Sequence, residues 1–280
     1  MRVVLVVLSL LLSFSVGAKT NQALTKSATS SAEDDTCHLK VQTVHYPPLA
    51  MAPNSAFNTT NQWLGLNFTY LDALFNEANC SYSIYATPLA RGLNLLEQGV
   101  VDMTLNLSKT AEREAYLAFV GVHRIEKIIL AAHRDFSPLI HDFNDLSQHD
   151  GRWIWQKGAY YGEPLANLAK SDPTFDMRIN RSVDNDRMLD FIRKRRADGF
   201  FVESTNFEFH KQYDARYEML ERHPININSE AVYFVFSKQS VKPELIEKFR
   251  VAYENLAEKG VWQQINSRKF TLPDNRSLAP

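Results

Sequence analysis

The sequence predicts an α/β protein built as two lobes, each a sheet covered by helices. Three observations lead there. Short apolar runs with strand-like alternation are separated by longer stretches whose apolar residues recur at helical spacing. Glycines follow the helical stretches where a left-handed C-terminal cap is needed, as at Gly99 and Gly260. The strand–helix alternation runs through the first half of the chain and begins again near Arg152.

Leu39 to Val44 alternates as a first strand and is stopped by Tyr46-Pro47-Pro48-Leu49, because proline cannot donate to a ladder. A loop runs to Gly65. Leu66 to Ala78 then predicts a helix with Tyr70, Leu71, Leu74, Phe75 and Ala78 on one face. Ser81 to Tyr85 is a second strand, Leu89, Leu93 and Leu96 mark a second helix closed by Gly99, and Val100 to Leu105 is a third strand. Thr110 caps a short helix with Glu112 in its first turn. This order implies a parallel sheet, whose ligands gather at the carboxyl ends of its strands. Ile125 to Ala132 is a strand leading out of the first lobe.

The second series starts with a strand over Arg152 to Gln156, followed by Gly158. Ser182 is expected to cap a helix from Val183 to about Arg196, acidic in its first turn (Asp184, Asp186) and basic in its last (Arg193 to Arg196). Gly199 to Val202 and Ala231 to Phe236 are further strands. Pro243 to Lys259 is a long amphipathic helix with Leu245, Ile246, Phe249, Tyr253 and Leu256 inward.

The start of the chain sets the compartment. Arg2 precedes Val3 to Val16, apolar except for three serines, and Val16-Gly17-Ala18 offers small residues to a signal peptidase. Residues 1–18 are expected to be a cleaved signal peptide. A membrane anchor is the alternative, but the run is short against the roughly 20 residues of a span. Residues 19–36 lack apolar periodicity and read as a flexible leader. No second long apolar run follows, so a soluble exported protein is expected. Cys37 and Cys80 are the only two cysteines, each just before a predicted strand. An even count in an exported chain favours a disulfide, feasible if the two strands are parallel neighbours; otherwise both are thiols.

Composition excludes other partners and chemistries. The 280 residues carry a formal net charge of -1, without the basic surplus of a nucleic-acid binder. Arg193 to Arg196 reads as a solvated helix end rather than a nucleic-acid patch, and Trp153 and Trp155 as core rather than a base-stacking platform. No G-x-S-x-G, H-E-x-x-H or phosphate-cradling loop occurs, and the eight histidines have no chelating spacing, so neither metal nor cofactor is expected.

An ordered set of marks carries a family resemblance from about Leu39 to Phe270: Tyr46-Pro47-Pro48 after the first strand, Gly65 opening the first helix, Pro88-Leu89, Gly99 with Asp102, Ser108-Lys109-Thr110-Ala111-Glu112-Arg113 as S-x-T-x-x-R, Phe119, Lys157-Gly158, Arg196-Ala197-Asp198 and Glu203. In these the chain resembles the amino-acid-binding class of bacterial periplasmic solute-binding proteins, the substrate-binding family 3 of ABC transporters. The resemblance implies a type II periplasmic-binding fold, with two lobes joined by two crossing strands and a cleft that closes over a small amino-acid-like ligand. The lobes are expected at residues 37–127 plus 238–280 and at 128–237.

The resemblance also implies site roles. Arg113 would clamp the ligand carboxylate in a bidentate fork, with the Ser108 hydroxyl beside it. The Asn106 carbonyl and Glu203 would take the ammonium. Ala159 and Tyr160 would offer backbone N–H groups, and Tyr46 and Leu89 would form walls. Arg91, at the cleft edge, would read a second acidic group or stand exposed; Tyr160 and Tyr161 would line the cleft or cover the second lobe. Two departures stand out: Leu66-Asn67-Phe68-Thr69 replaces the usual acidic residues after the opening glycine, and Ala159-Tyr160 replaces a Ser/Thr pair. The expected partner is an ABC transporter permease, with a membrane sensor as alternative, and a monomer is expected. A dehydratase-like enzyme on the same fold, with Glu203 as acid or base, is the rival reading; a protein-interaction module with a collapsed cleft is a third.

Overall fold

The computed structural model describes residues 37–182 and 185–268. The expected signal peptide, leader and capped helix start after Ser182 lie outside them. The described strands are β1 (His38–Thr43), β2 (Ser81–Ala86), β3 (Met103–Leu107), β4 (Leu117–His133), β5 (Trp153–Gln156), β6 (Ile179–Ser182), β7 (Gly199–Glu203) and β8 (Leu220–Ser237). They form one sheet in the order β2-β1-β3-β8-β4-β7-β5-β6. Each outer half is parallel, as predicted: β1 pairs with β2 and β3, and β5 with β6 and β7. The whole is mixed, because β4 and β8 run antiparallel to each other along their lengths and to their outer neighbours. These two are the crossing strands.

The helices are α1 (Leu66–Glu77), α2 (Leu89–Glu97), α3 (Ala111–Glu114), α4 (Phe143–Gln148), α5 (Glu163–Ser171), α6 (Pro173–Met177), α7 (Asn185–Arg193), α8 (Ser204–Tyr213), α9 (Pro243–Glu258) and α10 (Val261–Asn266). They cover both faces of the sheet, so alternate residues of one strand enter different cores. Phe234 and Phe236 pack with Tyr70, Phe75, Phe249 and Trp262 under α1, α9 and α10, while Val235 faces Leu96 and Leu117 beside α2. In the other half, Phe201 joins Trp153, Leu165 and Phe175, whereas Phe200 and Val202 join Leu189, Ile192 and Tyr217.

Three boundaries differ from the sequence reading, each for a backbone reason. The third strand starts at Met103 rather than Val100, because Val100 completes the α2 terminus. With Gly99 left-handed (φ 70°), the Val100 N–H donates to Leu95 O and that of Gly99 to Leu96 O. The same closure ends α7 at Arg193 instead of Arg196: Arg195 takes φ 54° and the Arg196 N–H donates to Phe191 O. The crossing strands begin earlier than predicted, since bulges absorb the irregular residues. Gly121 sits at one bulge of β4, and Pro224 lies between the paired residues Arg222 and Asn226 of β8. Ser182 closes β6.

Cys37 and Cys80 precede the first paired residues of β1 and β2, His38 and Ser81. Their Cα atoms are 4.7 Å apart and the disulfide is formed. The chain-entropy relation for a 43-residue separation gives a contribution of about 4 kcal/mol. Replacing both cysteines by serine is expected to lower unfolding stability in urea by roughly that amount; a loss below about 1 kcal/mol would mean that the bridge does not constrain the unfolded chain. At Gly121, φ is 61° and an added Cβ would come within 2.2 Å of the Tyr253 ring, whose hydroxyl donates to Val122 O at 2.8 Å. Gly121→Ala is expected to cost about 2–4 kcal/mol, from backbone strain and the displaced ring together; an unchanged denaturation midpoint would show that the bulge relaxes freely.

Candidate functional site

The carboxyl ends of β1, β3, β5 and β7 converge on a cavity of about 110 Å³, well above the ~10–15 Å³ that one water needs. Tyr46 follows β1, Asn106 and Ser108 lie at the end of β3, Ala159 and Tyr160 follow β5, and Glu203 ends β7; all line the cavity. Leu89 of α2 and Arg113 of α3 line it too. Of the predicted site residues only Arg91 is absent from the wall. It is exposed on α2. Two helical positions apart means about 200° around the axis, so Leu89 facing inward turns Arg91 away.

Arg113 is fixed in position by backbone groups on both sides of the cavity. The Thr110 hydroxyl accepts from the Arg113 N–H at 3.3 Å and caps α3. The guanidinium donates from Nη1 to Ser108 O at 2.8 Å and from Nη2 to Gly158 O at 3.1 Å. The second bond crosses to the other half of the sheet. An added Cβ on Gly158, whose φ is 84°, would lie 3.0 Å from the Ala90 Cα, so the halves meet closely here. Arg113 is buried, and burial pushes its guanidinium below the ordinary value. Among the described residues no carboxylate pairs with it. Two of its five N–H donors serve carbonyls, and three are left.

The opposite wall is a network centred on Arg124 of β4. Its Nη1 lies 3.4 Å from Glu203 Oε1, its Nη2 3.5 Å from Glu126 Oε1, and its Nε donates to Asn106 Oδ1 at 2.9 Å. Glu203 Oε2 accepts from the Asn206 N–H at 3.1 Å, so this carboxylate also caps α8. Asn106 adopts φ 61° at the β3 bulge; its Oδ1 also accepts from His123 Nε2 and its Nδ2 donates to Asn67 Oδ1. Burial and the Arg124 charge hold the His123 imidazole well below its ordinary value, and so neutral. Glu126 is pushed up to about 7, by burial first; Glu203 and Glu230 raise it further, while Arg124 and Arg113 oppose.

Apart from Arg91, the predicted residues therefore come together around the cavity. Glu203 is already engaged on both oxygens. The Asn106 side chain is spent inside the wall. The Ala159 N–H closes a turn onto Gln156 O, so it is not offered to a ligand; that of Tyr160 remains. Tyr46 bridges the halves, its hydroxyl accepting from the Glu203 N–H at 3.4 Å, and Asn206 Nδ2 donates to Pro47 O close by. Arg124 and Glu126 were missed. Their signal was the alternation Arg124-x-Glu126-x-Ile128, which puts two charges on one face of a buried strand with an apolar residue. Among the described residues no cluster of three or more His, Cys, Asp or Glu could hold a metal ion, and no helix is long and apolar enough to cross a membrane.

Comparison with known proteins bears on the fold and the family. No curated protein sequence matches the chain. An ancestral arginine-binding protein bound to arginine is similar in structure at 15% identity, covering 84% of this chain and 98% of that one, with a TM-score of 0.68. A histidine kinase sensor domain with similarity to periplasmic binding proteins matches at 15% identity, 83% and 95% coverage and a TM-score of 0.68. An amino acid ABC transporter substrate-binding protein from Streptococcus pneumoniae, bound to L-arginine, matches at 16% identity, 81% and 91% coverage and a TM-score of 0.64. At these identities the likeness establishes the type II periplasmic-binding fold. Residues 43–271 match the sequence model of the bacterial extracellular solute-binding proteins, family 3, and with four-fifths of its length in that match the chain belongs to this family.

Proposed function

We propose that the protein is exported to the periplasm through a signal peptide at residues 1–18 and, as a monomer, traps a free α-amino acid for delivery to an ABC transporter. The lobes would be residues 37–127 plus 238–280 and residues 128–237, closing over the ligand by a hinge in the crossing strands. The observation that carries this reading is Arg113: a buried guanidinium at a cavity wall with no carboxylate partner among the described residues. A charge left so is costly, and a ligand carboxylate in a bidentate fork removes the cost. The Ser108 hydroxyl and the Tyr160 N–H stand in the same wall. The ammonium falls to the acidic side. Glu126 takes it first, because Glu203 already holds Arg124 and the start of α8.

Titration calorimetry against the common amino acids tests this. The expectation is a dissociation constant near micromolar, about -8 kcal/mol, weakened roughly 100- to 1000-fold in Arg113→Ala. No binding by any α-amino acid, or an unaffected Arg113→Ala, would sink the reading.

Affinity should also depend on pH. The empty site holds Glu126 near 7, and a bound ammonium favours its ionised form. Below that value binding must first remove a proton, so affinity rises with pH and levels off above 7. The expected gain from pH 5 to pH 7 is up to about 50-fold. Glu126→Gln should flatten the profile; a flat profile in the wild type would place the ammonium elsewhere.

A second reading rests on the same carboxyl. A buried acid near 7 is suited to proton transfer, so a dehydratase-like enzyme is the rival. Recovery of the bound solute unchanged after prolonged incubation would reject it. The downstream partner is separable too. Lost uptake of labelled ligand by cells without the gene indicates delivery, whereas intact uptake with a lost response indicates a membrane sensor.

A further inference from the structure

The charged groups of the cavity define the ligand more narrowly than "amino acid". Four charged residues line it: Arg113, Arg124, Glu126 and Glu203. Arg124 is already compensated, by Glu203 at 3.4 Å and by Glu126 at 3.5 Å, with Asn106 Oδ1 on its Nε. Arg113 has only carbonyl partners. The Tyr46 and Tyr161 hydroxyls stay neutral, since burial raises both. With both glutamates ionised, the wall sums to zero and consists of one free positive end, Arg113, and one triad with a surplus negative charge. That is the charge pattern of a zwitterion's complement, with nothing left over.

We infer that the bound amino acid carries no charge on its side chain. This rests on the amino-acid reading above and narrows it. A cationic side chain would need a second free carboxylate, and the cavity has none beyond the one that meets the ammonium. An anionic side chain would need a second free cation, and Arg124 is held on both sides. What remains of the wall is neutral, with Leu89, Leu105, Ile128, Tyr160 and Tyr161 in it. An uncompensated charge in such a place costs about a hundredfold or more in affinity. The arginine held by two of the structures similar in fold would therefore be rejected here.

Calorimetry at pH 8 with the mature protein tests the inference. The probes are alanine, glutamine, leucine and phenylalanine against arginine, lysine, glutamate and aspartate. The best uncharged side chain should bind at least about a hundredfold more tightly than any charged one. A charged-side-chain amino acid binding as tightly as the best neutral one would overturn the inference while leaving the amino-acid site standing. Binding by none of the eight probes, or of the remaining common amino acids, would overturn both. Glu126→Gln provides a second measurement, because it leaves the wall with one surplus positive charge. The ratio of glutamate to glutamine affinity should rise at least about tenfold, and an unmoved ratio would show that the wall's charges do not select the ligand.

Discussion

Two strands of 17 and 18 residues lie side by side through the middle of the sheet, and every other strand is attached to one flank of that ribbon or the other. β3 pairs with the end of β8 at Tyr233 to Phe236, and β7 pairs with the end of β4 at Ile128 to Ala132. Each half of the molecule therefore hangs on one crossing strand, and the antiparallel pairing of the two holds the halves together. The register of this pairing shifts at several points between Val120 and Ala131. Bulges bend and twist a strand locally, so the ribbon combines a continuous ladder with places where it can flex. The proposed closure would use such places as its hinge, rotating the halves while both cores stay packed.

The same ribbon explains the chemistry of the cavity. Ile128 pairs with β7 and sits in an apolar core, yet two and four residues earlier the same face carries Glu126 and Arg124. Charges so placed survive only because they are paired and hydrogen-bonded. Arg124 is fixed by Asn106 and Glu203, Glu203 is fixed by the start of α8, and Asn106 is fixed by Asn67 and His123. A guanidinium hydrogen-bonded through Nε and Nη1 cannot easily swing toward a ligand. It acts instead as a fixed positive charge that opposes the burial-driven rise of Glu126.

How much of this was legible in the sequence follows from which signals are local. Apolar periodicity marked α1, α2, α9 and the inner strands, and the S-x-T-x-x-R run put Thr110 at the cap of α3 and Arg113 in the cavity wall. Backbone closures were hidden. Val100 looks like a strand residue, but its N–H belongs to the end of α2. The outer parts of β4 and β8 were obscured by Gly121 and by Arg222-His223-Pro224, residues that a bulge tolerates and a regular strand does not. Glu203 was read as a ligand carboxylate from the family resemblance; its cap on α8 is a local contact three residues on, but its pairing with Arg124 across 79 positions of sequence is a tertiary fact. Arg124 and Glu126 gave only a two-residue alternation, too short to stand out from the polar end of a strand.

Closure and binding are linked through contacts that this arrangement already contains. Among the described residues, hydrogen bonds that join the halves beside the cavity include Arg113 to Gly158 O, Asn206 to Pro47 O, and the Glu203 N–H to the Tyr46 hydroxyl. Each contributes about 1 kcal/mol net, so together they are too weak to compensate for a desolvated guanidinium that lacks a carboxylate. On the proposed reading, an empty closed cavity would hold Arg113 in its costliest state, and opening would relieve it by letting water in. A ligand carboxylate would relieve it without opening, and so stabilise the closed form relative to the open one. On the proposed reading, much of the differential affinity that any ligand-driven change requires would reside in Arg113, whose burial would make the empty closed state poor and the filled one good.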